Sequence, residues 1–395
     1  MKITFKLECG HIYFFLMFLN SFIYTIFSKN TTHKKGVSSN LFHIYVITFS
    51  DLCCIIFYLI RKIKSKKIQS NIENYKISKN NIELIYNGKL PINKCQLIKR
   101  LIIITLTDIL GNFSIFVYYL YIEIYHKEKI YKKLYLILIF NIVSKYLFSR
   151  IFLKTYFYRH HYLSFAINTI CLVLLGIFDI LNVSEEKYYS DNMNVLIYIF
   201  LYLFRNIIFS FGDVIGKISF NKDYLSPYSL ILIKGIIKSI MLLIISFPFF
   251  FININDKNII MEIGNIFEGH IDIYKYCFII VNNLFYNILM WIIIDKYSPS
   301  HLAMGNVLEV IAPMLYLIFF EINKIDWHFF FEIVINIILI IGTLIHNEIL
   351  IIKYCKLDQY TKEKYKLRSN EDVIQCLEDG TDDDSSFNDY ENDDH

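Results

Sequence analysis

The sequence predicts an all-α membrane protein of about ten transmembrane helices, laid out as two inverted five-helix repeats. Three observations predict it. Hydrophobic residues make up 55% of the 395 residues and charged residues only 19%, a balance unlike that of a soluble domain. The apolar residues come in ten long blocks, of the length a bilayer span requires. One short pattern also recurs in the two halves of the chain. The 31 Tyr and 35 Phe, with abundant Ile, Asn and Lys, are the signature of AT-rich coding, so each Lys and Asn is weighed against that background.

The blocks cover about residues 11–27, 41–60, 98–123, 134–153, 160–181, 193–219, 226–252, 274–295, 299–321 and 328–352. Facing lipid, each satisfies its own backbone only as a helix. The first follows Lys2 and Lys6 and lacks a small-x-small cleavage site, so it reads as an uncleaved helix rather than a signal peptide. Ser226-Pro227 and Ser298-Pro299 open the seventh and ninth blocks, with proline in a first turn where its missing N–H has no duty and serine placed to cap. The expected organisation is a first half at 1–181, with a basic loop at 61–97, a second half at 182–352 and a tail at 353–395. Residues 371–395 hold eleven Asp/Glu and no Lys or Arg, which predicts an acidic, disordered tail.

Orientation follows from the basic residues. Eleven Lys/Arg lie between Arg61 and Arg100 and six between Lys353 and Arg368. With Arg150, Lys154 and Arg159, they favour cytosolic termini by roughly two to one over the opposite loops. The Lys127–Lys133 cluster dissents. The sequons at Asn30 and Asn182 fall on the non-cytosolic side. This distribution explains the basic body better than nucleic acid binding does, and none is expected.

The eight cysteines form no CxxC pair, so neither a metal site nor a disulfide framework is indicated. His160-His161 reads as an interfacial pair rather than metal ligands. No hydrolase, kinase, P-loop or metalloenzyme motif appears, and no cofactor is expected.

Ile151-Phe-Leu-Lys154 is followed by His161 and Gly176; Ile318-Phe-Phe-Glu321 is followed by His328 and Gly342. These matches fall at the junctions of the fourth and fifth blocks and of the ninth and tenth, as a five-plus-five inverted repeat requires. Over about residues 98–352 the chain resembles the drug/metabolite transporter superfamily, in particular its EamA-like and solute-carrier-family-35-like members. The stretches that carry the resemblance are Thr105-Leu-Thr-Asp-Ile-Leu-Gly111, Phe211-Gly-Asp-Val-Ile-Gly-Lys217 with Leu225-Ser-Pro-Tyr-Ser229, Tyr297-Ser-Pro-Ser-His301, and Gly342-Thr-Leu-Ile-His-Asn-Glu348. Lys234-Gly235 departs from the family, which often has an acidic residue there. The resemblance implies ten helices, cytosolic termini and a central cavity lined partly by the fourth and ninth helices.

Ionisable residues in mid-membrane are the remaining signal, since each costs about 2.5–3.5 kcal/mol at a helix centre on insertion scales. Lys145, Arg205, Lys238 and Glu309 are the deepest. Asp213, Lys217 and Lys234 are expected nearer the cytosolic ends, where the lysines can snorkel. Asn141, Lys145 and Ser149 form one polar stripe at i, i+4, i+8. His301, Gly305 and Glu309 form another, with Asn306 beside them, and Asn282, Asn283 and Asn287 add further donors. The expected solute-binding set is Asn141, Lys145, Arg205, Lys238, Asn283, Asn306 and Glu309; a structural Lys145–Glu309 ion pair is the competing reading. Three basic groups to one acidic favour an anionic solute: nucleotide-sugar-like, phosphorylated or carboxylate-bearing. The expectation is a secondary transporter working by alternating access. The alternative is a multi-pass transferase using His346 or Glu309. Expected partners are the small solute and the lipid bilayer, with homodimerisation left open.

Overall fold

A computed structural model describes residues 2–5, 11–29, 37–63, 94–124, 135–181, 192–223, 225–248, 253–254, 257–258, 273–320 and 327–353. Helices lie over all ten apolar blocks: α1 (Ile12–Lys29), α2 (Val37–Cys53, with a helical continuation to Ile63), α3 (Lys94–Ile124), α4 (Tyr135–Phe152), α5 (Arg159–Leu181), α6 (Asn192–Asp223), α7 (Pro227–Ser246), α8 (Ile273–Lys296), α9 (Pro299–Phe320, in three parts) and α10 (Trp327–His346). Among the described residues, eight helices are long and apolar enough to cross a membrane, and the apolar stretch Ile12–Phe27 is shorter.

The helices are apolar outside and polar inside. On α7, Ile240, Leu243 and Ile244 stand exposed while Lys234 and Lys238 are buried. In water that arrangement would be inverted; against lipid tails it is the favourable one.

Local chemistry decides where the helices end. Ser226 Oγ accepts the Ser229 N–H at 3.2 Å and Ser298 Oγ accepts the His301 N–H at 3.4 Å, so both serines cap as their spacing predicts. The seventh block was expected to run to 252, but α7 stops at Ser246 and passes into a 3₁₀ turn at 247–248, with Phe247 still helical; Pro248 has no N–H to give the Ile244 carbonyl four residues back. The tenth block was expected to run to 352, but α10 stops at His346. Glu348 N–H bonds to Ile345 C=O at 3.2 Å and Ile349 N–H to Leu344 C=O at 3.0 Å, a Schellman closure with Glu348 at φ 57° where glycine is usual. The chain then extends as β4 (Leu350–Lys353), antiparallel to β1 (Lys2–Phe5), with Lys2 opposite Lys353 and Phe5 opposite Leu350. Between them lie the two-residue strands β2 (Asn253–Ile254) and β3 (Lys257–Asn258), which pair with each other.

The ninth helix is interrupted. Its parts are Pro299–Val307, a 3₁₀ turn at Leu308–Val310, and Ile311–Phe320. Pro313 cannot donate to the carbonyl of Glu309, four residues back, and its ring crowds that carbonyl, so the turn tightens there.

Helix α3 packs along α6, α4 on α6, α5 on α10 and α2 on α7. Helix α8 packs on both α1 and α2, α7 on α3, and α9 on both α1 and α4. The α3–α6 crossing is close because Gly111 faces the Phe209 ring and Gly212 faces the Thr107 hydroxyl; a Cβ at either would collide. The basic connection beyond Ile63, the Lys127–Lys133 cluster, both sequons, the His328 side chain and the acidic tail lie outside the described residues.

Candidate functional site

Seven helices, α2, α3, α4, α6, α7, α8 and α9, enclose a cavity of about 320 Å³. Of the seven residues singled out above, six line it: Asn141 and Lys145 from α4, Arg205 from α6, Asn283 from α8, and Asn306 and Glu309 from α9. Lys238 is not among the lining residues. It is fully buried behind the cavity, where its Nζ donates to Asp108 Oδ2 at 2.8 Å.

Lys238 belongs to a four-residue charge cluster. Lys234 Nζ lies 3.3 Å from both Asp51 Oδ2 and Asp108 Oδ2, and Lys238 Nζ lies 3.8 Å from Asp51 Oδ2. Asn287 Nδ2 donates to Asp51 Oδ1 at 2.7 Å and Asn112 Nδ2 to Asp108 Oδ1 at 2.9 Å. Two cations and two carboxylates balance, and these amides satisfy the carboxylate oxygens that face away from the lysines. Asp51 Oδ2 meets the lysines only as ion pairs, without a hydrogen bond, so charge balance rather than full hydrogen bonding holds it there.

Lys145 pairs with Asp213 Oδ2 at 2.8 Å. Its ion-pair partner is therefore not Glu309, which lies beside Tyr286 on the cavity wall. Lys234 is not a snorkelling residue either: it is buried, with its Nζ between Asp51 and Asp108.

These additions remove the basic tilt. The cavity wall carries three carboxylates (Asp108, Asp213, Glu309) and three cations (Lys145, Arg205, Lys234), and Asp51 and Lys238 behind it keep the balance. Arg205 stands apart from the rest. Its guanidinium lies over the rings of Phe209 (5.1 Å) and Tyr202 (5.8 Å), and its Nε is buried without a hydrogen-bond partner. Among the described residues no carboxylate comes within 4.0 Å of it. Asn283 Nδ2 and Asn306 Oδ1 are likewise buried without partners.

The ninth-helix stripe splits. Gly305 packs against Phe14 and Met17 of α1, and His301 lies in a separate histidine cluster at the start of α9. Asn306 and Glu309, three residues apart, face the cavity, because the 3₁₀ turn rotates the helix off the i, i+4 register. His346 belongs to that same cluster and does not line the cavity, so the two residues named for a transferase lie in different places.

Sequence reasoning passed over Asp51, the role of Asp108 and Pro313. Asp51 in the middle of the second block and Pro313 inside the ninth were both visible as exceptions within apolar runs. Neither protein-family models nor curated proteins yield a match to this chain.

Proposed function

We propose that this protein is a ten-helix secondary carrier, built as two inverted five-helix repeats, that moves a small anionic solute by alternating access. The observation that carries the reading is Arg205: a guanidinium at the wall of a cavity between seven helices, with no carboxylate partner among the described residues. A phosphate or carboxylate is the group whose geometry a guanidinium fork matches. The unpartnered amides of Asn283 and Asn306 add polar contacts for the rest of the solute. A volume of about 320 Å³ is at the small end of ligand sites, about 300–1,000 Å³. It therefore favours a compact phosphorylated or carboxylate solute over a nucleotide sugar.

The packing pattern supports the repeat. Exchanging each helix for the one five positions on turns the α3–α6 contact into α8–α1, α4–α6 into α9–α1, and α2–α8 into α7–α3; all of these contacts exist. The α2–α7, α4–α9 and α5–α10 contacts map onto themselves. An interrupted helix at a mid-membrane site supports carriage as well, since broken helices recur where transporters bind solute.

The test is uptake by purified protein in liposomes against a panel of phosphorylated and carboxylate solutes. Arg205→Gln is expected to abolish uptake of the accepted solute while the variant inserts and stays monodisperse. Uptake unchanged in Arg205→Gln would sink the anion assignment, and no uptake of any solute by wild type would sink the carrier reading.

A further inference from the structure

A second constellation lies away from the cavity, at the membrane face where α5 and α9 begin, α10 ends and β1 meets β4. His160 and His161 come from the first turn of α5, His301 from the first turn of α9 and His346 from the end of α10. Ring centroids are 4.0 Å apart for His160 and His161, 4.7 Å for His161 and His346, and 4.8 Å for His301 and His346. One ring nitrogen from each of His161, His301 and His346 lies within 4.8 Å of the other two. Ligands of a tetrahedral ion at ~2.0–2.1 Å stand about 3.3 Å apart, so each ring need shift only by about an ångström.

We propose that His161, His301 and His346 bind one divalent transition-metal ion of the zinc class at this face. Three features converge. His346 is fully buried, and its Nδ1 meets the Tyr146 hydroxyl at 2.7 Å. Its Nε2 has no hydrogen-bond partner among the described residues. That division of labour, one nitrogen fixed and the other open, is how metal-ligating histidines are prepared. His301 Nδ1 is held the same way by Ser298 Oγ at 2.7 Å. Finally, Glu348 occupies a left-handed backbone position that favours glycine, and its carboxylate lies 3.5 Å from His160 Nε2. His160 and Glu348 thus supply a carboxylate–histidine pair beside the three ligands, with His160 otherwise lacking hydrogen bonds.

Imidazole nitrogens with a nearby carboxylate and no thiolate select zinc-class ions over calcium or magnesium, which prefer all-oxygen sites. His161 Nδ1 accepts the Tyr158 N–H at 3.1 Å, which places that ring's proton on Nε2. Ligation through Nε2 moves the proton to Nδ1 and gives up that one hydrogen bond. The α5 and α9 N-termini oppose a cation, and the α10 C-terminus and Glu348 offset them. An ion here ties the ends of three helices together.

The experiment uses the untagged full chain in detergent, stripped with EDTA, passed through gel filtration and titrated with Co²⁺. A visible tetrahedral Co²⁺ spectrum, saturating at one ion per chain and bleached by Zn²⁺, is expected. His346→Gln and His161→Gln should lose that spectrum, with Zn²⁺ affinity lower by at least about 100-fold. His301→Gln replaces either ligand variant that is not monodisperse. No Co²⁺ spectrum, or equal Zn²⁺ retention by wild type and the ligand variants (an adventitious ion only), overturns the proposal. Since the readout is binding, it stands or falls independently of transport.

Discussion

Lys145 and Asp213 illustrate how buried charge behaves at the scale of single residues. Both side chains are at least nine-tenths buried and 2.8 Å apart, so neither tolerates loss of the other. Lys145→Met should cost about 3–5 kcal/mol, because a carboxylate is left buried without its cation. Adding Asp213→Leu should return most of that stability. Chemical or thermal unfolding in detergent measures both. A double variant no more stable than Lys145→Met alone would show that the pair is not the relevant unit. The sequence offered Glu309 as a partner only in the competing reading, because both residues fall at similar depth, and depth does not specify which faces of two helices meet. The same limit hid the Asp51–Asp108–Lys234–Lys238 cluster, whose members come from α2, α3 and α7.

Helix α9 trades regularity for the position of Glu309. Pro313 costs about 3 kcal/mol relative to alanine in a helix interior, yet it holds the 3₁₀ turn that presents Asn306 and Glu309 together. Pro313→Ala should restore the hydrogen bond to the Glu309 carbonyl and raise the melting temperature, while uptake falls as the two side chains rotate off the cavity. Melting curves and liposome uptake measured side by side decide it: a raised melting temperature with unchanged uptake would dissociate the break from function. The interruption was legible in the chain as a proline within an apolar block. Its consequence for side-chain register was not, since the tightening depends on how neighbouring helices hold α9.

For the whole molecule, β1 and β4 join the first described residues to the last. A β-ladder cannot form across a bilayer, so an N-terminal and a C-terminal tag are expected on the same side. In the carrier we propose, the Lys/Arg distribution predicts that this side is the cytosol. Protease added to sealed vesicles of known orientation should remove both tags or neither, and cleavage of one alone would break the topology. The sequence by itself determined that helices lie over the ten apolar blocks, eight of them among the described residues long enough to cross a membrane, because an apolar run against lipid has no other way to satisfy its backbone. It also marked Asn141, Lys145, Arg205, Asn283, Asn306 and Glu309, since polar groups inside such runs are conspicuous. Only the tertiary structure decided that these six share one cavity and that Lys238 lies behind it. It also paired Lys145 with Asp213, left Arg205 without a carboxylate among the described residues and gathered the histidines of α5, α9 and α10 at one face. Those facts depend on the rotation of each helix about its axis and on which helices touch, and both are set by packing between segments far apart in the chain.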